Sequence, residues 1–281
     1  MDQIPMGEAQ VQKDLIEVFN GNHAEAIYFN RPEKQVVCFS TQLNCAVGCA
    51  FCASPDAEKT TVNLTTGEML NQIYSMMSRH STDAEDGKVV LFSFMGEGEP
   101  LLNYKNVLGT MRHLEQHGNC RISVSTSGVA TDRIVDLARE KFSVPFKLQV
   151  SIHSMDPDVR EWLIPLAKPI DDIAQAIHEY HMITEFEDRP VELNFALLKG
   201  VNDSIADAEE IADTFPNEHI KISQFNPIIR SKLESASDAD IGAFVMHLRE
   251  RGVSVEYHMT DGSNIGAACG QTRGMRAATR V

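Results

Sequence analysis

Residues 35–52 read QVVCFSTQLNCAVGCAFC, and the order of parts in this stretch decides the fold. Gln35–Thr41 is rich in β-branched and aromatic residues and is expected to form a strand. Directly behind it stands Cys45-x-x-x-Cys49-x-x-Cys52, three thiols within eight residues. Further on, Thr65-x-x-Glu68 is a capping box, and Met69, Ile73, Met76 and Met77 share one helical face. Strand, cysteine loop and helix make one unit, and the unit opens a series.

The apolar run Lys88–Met95 reads as a buried strand and leads into a glycine-rich loop. Val107, Met111 and Leu114 mark the next helix, ended by Gly118. Arg121–Ser127 reads as a strand, Thr131–Lys141 as a helix and Phe146–Ser154 as a strand. Helical segments cover Asp156–Leu163 and Ile170–Thr184. Val191–Leu198 and Ile220–Phe225 are expected strands, separated by a helix over Ile205–Phe215. Ser237–Arg251 forms the last helix, with Ser237 at its cap and Gly252 behind it, and Val253–Met259 the last strand. Such alternation with short connections implies parallel strands and crossover helices, in a barrel or a doubly wound sheet. Chemistry is then expected at the C-terminal ends of the strands.

Upstream, residues 7–18 (GEAQVQKDLIEV) read as a short amphipathic helix. Ala24–Phe29 and Gln35–Thr41 are expected to pair as a hairpin across the turn Asn30-Arg31-Pro32-Glu33. Residues 1–34 would be a short helix-and-strand extension, and residues 35–281 the core.

Composition narrows the function. With 43% hydrophobic and 23% charged residues, the 281-residue chain is globular rather than disordered. Twenty-five basic against forty acidic residues leave a net charge of −15, which disfavours unspecific binding to polyanions or membrane surfaces. No apolar run is long enough to span a bilayer, and the start MDQIPMGEAQ lacks an export signal, so a cytoplasmic location is expected. Six cysteines in such a chain point to metal or redox chemistry.

Three thiols so close can hold a 4Fe–4S cluster that keeps one iron open. The alternatives are a zinc site, for which no further Cys or His pair follows at usable spacing, and a set of inert buried thiols. The loop Met95-Gly-Glu-Gly-Glu-Pro100 matches no phosphate-binding motif, and Glu97 and Glu99 would repel phosphate. Carboxylates on a glycine-opened loop suit a cation; the alternative is a solvated acidic turn. Read alone, Cys38 and Cys120 are small core residues and Cys269 is a loop residue.

The cysteine spacing resembles the signature of the radical S-adenosylmethionine (SAM) enzymes. In that superfamily the open iron is chelated by SAM, whose reductive cleavage yields a 5′-deoxyadenosyl radical. The motifs VCFSTQLNCAVGCAFC, LTTGEMLNQI, MGEGEPLLNY, SVSTSGV, VSIHS, LLKGVND, FNP and AACGQ occur in the order seen in the RlmN/Cfr family. The resemblance runs from about Ala24 to Gln271. It implies an α/β fold, the partial (β/α)6 radical-SAM barrel, preceded here by the short helix and hairpin. The implied activity is methylation of an adenine, at C2 or C8, in RNA. The implied cofactors are a 4Fe–4S cluster on Cys45, Cys49 and Cys52, and SAM held by Gly98, Glu99, Ser125, Ser151, Ile152, His153 and Asn226.

Adenine C2 is an electron-poor amidine carbon, and SAM is an electrophile, so ordinary methyl transfer cannot alkylate it. By resemblance, Cys269 takes the methyl of one SAM, a radical generated from a second SAM activates that methyl, and the carbon adds to the base. Cys38 then attacks Cys269 sulfur and releases the product with a transient disulfide. Glu25, thirteen residues before Cys38, stands at the place of the family's proposed proton acceptor. Cys120 matches no family position and reads as structural.

The chain departs from the family in three respects. Only 37 residues precede Cys38, leaving the 7–18 helix in place of an accessory RNA-binding domain. Glu97 replaces an apolar residue and adds a carboxylate near the cofactor. The net charge is negative, with Arg273, Arg276 and Arg280 supplying local positive charge. The expected partners are RNA, an electron donor such as flavodoxin or ferredoxin, and a helper protein replacing the missing domain. Two other readings stay open: the same two-cysteine chemistry on a nucleotide, small molecule or peptide, and a non-catalytic iron–sulfur RNA-binding or sensor protein.

Overall fold

In the computed structural model, which describes residues 10–56, 59–80, 87–185, 189–258, 262 and 265–272, strands and helices alternate almost without interruption. Three antiparallel strands lead: β1 (Gln10–Glu17), β2 (His23–Asn30) and β3 (Lys34–Phe39). A short ribbon of β4 (Gln42–Leu43) and β5 (Val62–Asn63) flanks the cysteine loop. The chain continues through α1 (Thr66–His80), β6 (Val89–Phe94), α2 (Tyr104–Leu114), β7 (Cys120–Thr126), α3 (Thr131–Arg139) and β8 (Phe146–Ser151). It ends through α4 (Pro157–Leu163), α5 (Ile170–Thr184), β9 (Val191–Leu197), α6 (Ile205–Thr214), β10 (His219–Gln224), α7 (Asp238–Glu250) and β11 (Ser254–His258).

The sheet order is β1-β2-β3-β6-β7-β8-β9-β10-β11, with every neighbouring pair from β3 onward parallel. Because this order never reverses, right-handed crossovers place every helix on one face. The sheet therefore curls into a partial barrel rather than a doubly wound layer. Its two flanks approach each other: His258 on β11 is held at a pKa of about 4 by burial and by the charges of Lys221, Arg31 and Lys34, the last two from the β2–β3 turn and the start of β3.

Strand periodicity sorts the side chains. Phe39, Phe92, Phe94, Ile122, Val124, Leu148, Val150, Leu193 and Ile222 are buried against the helices, with the Phe39 and Phe94 rings edge to face at 4.6 Å. The other face is polar. One register row runs Lys13, Ile27, Cys38, Ser93, Ser123, Lys147 across six strands, placing Cys38 on the lumen side. A second, smaller core lies at the C-terminal rim, where Val47 of the cysteine loop packs with Leu163, Ile164, Leu198, Phe225 and Ile228.

The capping box holds, with Glu68 Oε2 accepting from Thr65 N at 2.8 Å and Thr65 Oγ1 from Glu68 N at 3.3 Å. The expected helix at residues 7–18 does not: residues 10–17 are strand β1, and residues 7–9 lie outside the described residues. β2 is buried from Ala24 to Tyr28, and its outer edge needs backbone partners that only a strand supplies. Asp14 and Ile16 turn to the helix side, where Arg79 of α1 pairs with Asp14 at 2.8 Å, while Lys13 turns to the lumen. β8 stops at Ser151, short of the expected Ser154, because His153 adopts a left-handed conformation with φ 61°. Among the described residues no helix is long and apolar enough to cross a membrane.

Candidate active site

The cysteine loop leaves β3 and is fixed from three sides. Asn44, at φ 63°, donates from Nδ2 to Lys59 O at 2.6 Å and accepts at Oδ1 from Asp56 N at 2.8 Å. Ala50 N donates to Leu163 O at 3.0 Å, tying the loop to the end of α4. Arg230 donates from Nε to Cys52 O and from Nη2 to Cys49 O, both at 2.7 Å. Burial pushes the Cys45 thiol up to about 12 and the Cys49 thiol well above its ordinary value, and neighbouring thiols and carboxylates add to this. A centre that binds these sulfurs as thiolates relieves that cost.

The residues fit an iron–sulfur cluster. Three soft thiol donors on one loop, with burial opposing their release as free thiolates, suit a centre that takes them as thiolate ligands.

Gly96 and Gly98 let the next loop press onto the end of β3. A Cβ on Gly98 would lie 2.6 Å from Gln42 Cβ and 2.8 Å from Gln42 N, at a backbone φ of 106°. Gly98→Ala is expected to cost about 2–3 kcal/mol from backbone strain and clash together and to weaken SAM binding, as read by denaturant unfolding and by equilibrium dialysis. Behind it, Glu99 is fully buried. Its carboxylate accepts from Leu101 N at 3.1 Å, Ser127 N at 2.8 Å and Ser127 Oγ at 2.7 Å. Burial raises its pKa against these bonds and that of the Thr126 hydroxyl. Among the described residues no Lys or Arg side chain is salt-bridged to this carboxylate. A buried carboxylate without a counter-charge is costly, and an ammonium group would supply one. Glu97 serves the loop instead, since its Oε1 accepts from Asn44 N at 2.7 Å and clamps the loop to the base of the cysteine motif.

The expected SAM contacts from later strands gather on the same rim. Ser125 Oγ donates to Gln149 Oε1 at 2.9 Å in the lumen. Ser151, Ile152 and His153 end β8. The His153 ring stands edge to face on Phe51 of the cysteine loop at 4.4 Å, and its Nδ1 accepts from Ala196 N at 2.9 Å. Burial and then the Arg160 charge hold its pKa near 3, so the ring is neutral with its proton on Nε2. Asn226, after β10, donates from Nδ2 to Cys269 O at 3.2 Å.

The segment carrying Cys269 is docked on the cysteine loop. Ala53 N donates to Gly270 O at 2.7 Å and Ser54 Oγ to Thr272 O at 2.8 Å, while Gln271 Nε2 donates to Pro227 O at 3.1 Å. Cys38, Ile27 and Ala267 form one small apolar cluster. Burial and then the nearby Cys269 sulfur push the Cys38 thiol up to about 12. Cys269 opens to solvent, yet the surrounding protein raises its thiol pKa against the pull of Lys221. Glu25 is buried on β2 and pairs with Lys13 at 3.2 Å; Lys13 also donates to Gly266 O at 3.1 Å. Cys120 is buried in the helix-side core, away from this cluster. Arg273, Arg276 and Arg280 lie outside the described residues.

Three residues at the site escape sequence reading. Lys13 is hidden by the helical pattern of its segment. Arg160 of α4 is buried, donates to Ser127 O at 3.3 Å and to the Ser151 and Ile152 carbonyls, and its pKa is lowered by burial to about 10. Arg230 lies in a loop whose only signal is the preceding FNP motif.

An open barrel presenting three closely spaced thiols at its rim is the arrangement of a radical SAM enzyme, and the model of the Radical SAM superfamily matches residues 39–215. Its cofactors are a 4Fe–4S cluster and SAM. The chain is 36% identical over 271 residues to a probable dual-specificity RNA methyltransferase RlmN of Thermotoga neapolitana, covering 93% of this chain and 75% of that one. Against a protein of the same description from Thermus thermophilus it is 33% identical, covering 92% and 73%. A crystal structure of a radical SAM methyltransferase from Sphaerobacter thermophilus superposes with a TM-score of 0.84 at 34% identity, over 95% of this chain and 81% of that one. SuiB of Streptococcus suis bound to S-adenosylmethionine shares the fold alone, at 13% identity and a TM-score of 0.57 over 80% and 49%. The chain belongs to the RlmN family of radical SAM methyltransferases.

Proposed function

We propose that the protein methylates an sp2 carbon of an adenine in RNA, C2 or C8, with Cys269 as methyl carrier and Cys38 as resolving thiol. The observation that carries this reading is the meeting of Cys38 and Cys269, from opposite ends of the chain, beside the cysteine loop and above a polar lumen. Cluster and SAM together supply a carbon radical able to take hydrogen from a methyl group. Glu99 orients the SAM ammonium, and Gly98 keeps the approach open. The neutral His153 ring and the Asn226 amide hold the rim around it. Cys269 sulfur displaces a methyl from SAM and carries it to the base. Once that carbon is bonded to adenine, the radical adduct gives up one electron, for which the oxidised cluster would be the acceptor, and Cys38, its thiol proton lost to solvent, attacks Cys269 sulfur. The S–C bond breaks toward carbon, which takes up a proton, and a Cys38–Cys269 disulfide remains for an external thiol to reduce. Glu25, held by Lys13, accepts the proton removed from the ring carbon. A non-catalytic binder or sensor would need neither thiol.

RNA is supported by the names of the relatives and by charge placement. Arg31, Lys34, Lys147 and Lys221 act on one another or on shared neighbours in the lumen; Glu192 pairs with Lys147 at 2.8 Å and Lys221 at 3.5 Å, and Glu256 lies near Lys221, so four cations against two carboxylates leave a local positive excess inside a chain of net charge −15. That field suits the phosphate of a flipped-out nucleotide, and Arg273, Arg276 and Arg280 are candidates for further contacts. Electrons come from a low-potential donor, and a helper protein is a candidate source of further RNA contacts. The test compares labelled-methyl incorporation into ribosomal RNA fragments, transfer RNA and free nucleosides at rising salt. For RNA, log affinity is expected to fall by roughly 0.7–0.9 per phosphate contact for each tenfold rise in salt. Equal methylation of a free nucleoside, with a shallow salt slope, would move the assignment to a small-molecule substrate.

A further inference from the structure

Beside the cysteine loop lies a cleft of about 420 Å³ lined by Ala50, Trp162, Arg230, Ser231, Lys232 and Leu233. Its lining contains two cations and no carboxylate, unusual in a chain with forty acidic residues. Trp162 is the protein's single tryptophan and is 51% exposed; Ile229, next to Arg230, is fully exposed. Ala50 lies between Cys49 and Cys52, and Arg230 grips the carbonyls of both cysteines. The wall of this cleft is thus the backbone that holds the cluster.

We propose that this cleft docks the acidic one-electron carrier protein that reduces the cluster, the donor losing one electron and the cluster gaining it. Electron transfer falls off exponentially with distance, which favours a donor seated against the ligand-bearing backbone. Exposed Trp162 and Ile229 offer the apolar anchor of a small, transient interface, and Arg230 with Lys232 the complement to an acidic face. An RNA strand could also use an aromatic ring and two cations, but the placement argues against it. The base must reach Cys269, whose segment is bound at Ala53 and Ser54, whereas the cleft abuts Ala50 and the end of α4.

The inference rests on the radical SAM class and not on the RNA reading, and its test needs no RNA for the kinetic arm. Holoenzyme, Trp162→Ala and Lys232→Glu are mixed anaerobically with flavodoxin hydroquinone or with dithionite, and bleaching of the cluster's visible absorption is followed. Arg230 is left intact because it supports the loop. Each variant is expected to slow flavodoxin-driven reduction by about tenfold or more, with iron content and dithionite-driven reduction unchanged. In holoenzyme carrying 5-fluorotryptophan, the single fluorine resonance should shift with oxidised flavodoxin and stay in place with RNA. Unchanged flavodoxin rates, equal slowing with both reductants, or a fluorine signal that follows RNA instead would each overturn the assignment.

Discussion

Cys38→Ala is expected to convert turnover into a dead end, a covalent adduct joining Cys269 to the RNA base. The substitution removes one buried sulfur, so it should cost about 1 kcal/mol of stability and leave cluster and SAM site in place. Methyl loading of Cys269 and its bonding to the base do not use Cys38; only release does. Cys269→Ala should instead abolish methyl loading while some SAM cleavage persists, and because Cys269 is exposed the fold should be unaffected. Intact-protein mass spectrometry separates the cases: an RNA-sized increment for the first variant, none for the second. Normal methylated product from either would reject the two-thiol mechanism. Burial lifts the Cys38 thiol to about 12, so only roughly 10⁻⁵ of it is thiolate at pH 7. The thiolate fraction rises with pH throughout the range below 12. Adduct release in the unaltered protein should therefore accelerate as pH is raised.

The second large effect concerns the cluster. Cys45→Ala, Cys49→Ala or Cys52→Ala should each lose the whole of the bound iron after anaerobic reconstitution, since three protein ligands leave none to spare. SAM cleavage should fall by roughly 10⁴-fold or more, because removing the reactive centre leaves only binding. Iron analysis and visible absorption provide the check. A mononuclear zinc protein with undiminished metal would contradict the superfamily chemistry. Lost iron alone does not distinguish methylation from other radical chemistry, so this experiment tests the class, and the Cys38 and Cys269 variants test the reaction.

Much of the site was legible because its signals are local. Three cysteines in eight residues, a glycine-opened acidic loop and a capping box declare themselves by spacing. Lys13, Arg160 and Arg230 gave no such signal. Each works through backbone carbonyls or a carboxylate brought near by the fold, and a lone basic residue in sequence reads as a solvated charge. Glu97 shows the converse: a carboxylate expected near the cofactor is also spent on the Asn44 amide, a contact created only when two loops cross.

What the sequence determined by itself is the alternation of strands and helices, most element boundaries to within a few residues, and the place of the three-cysteine loop directly behind β3. Hydrophobic periodicity and turn residues act over a few positions, and their reading survives folding. The tertiary structure decided which periodicity wins where two are compatible. Residues 10–17 satisfy a helical pattern, yet the unpaired edge of β2 makes them a strand. It also decided barrel over doubly wound sheet, because strand order depends on where each crossover lands. Above all it brought Cys38 beside Cys269. Loop closure between chain ends leaves no mark on local sequence, and only the curled sheet with the docked Cys269 segment places the two thiols together.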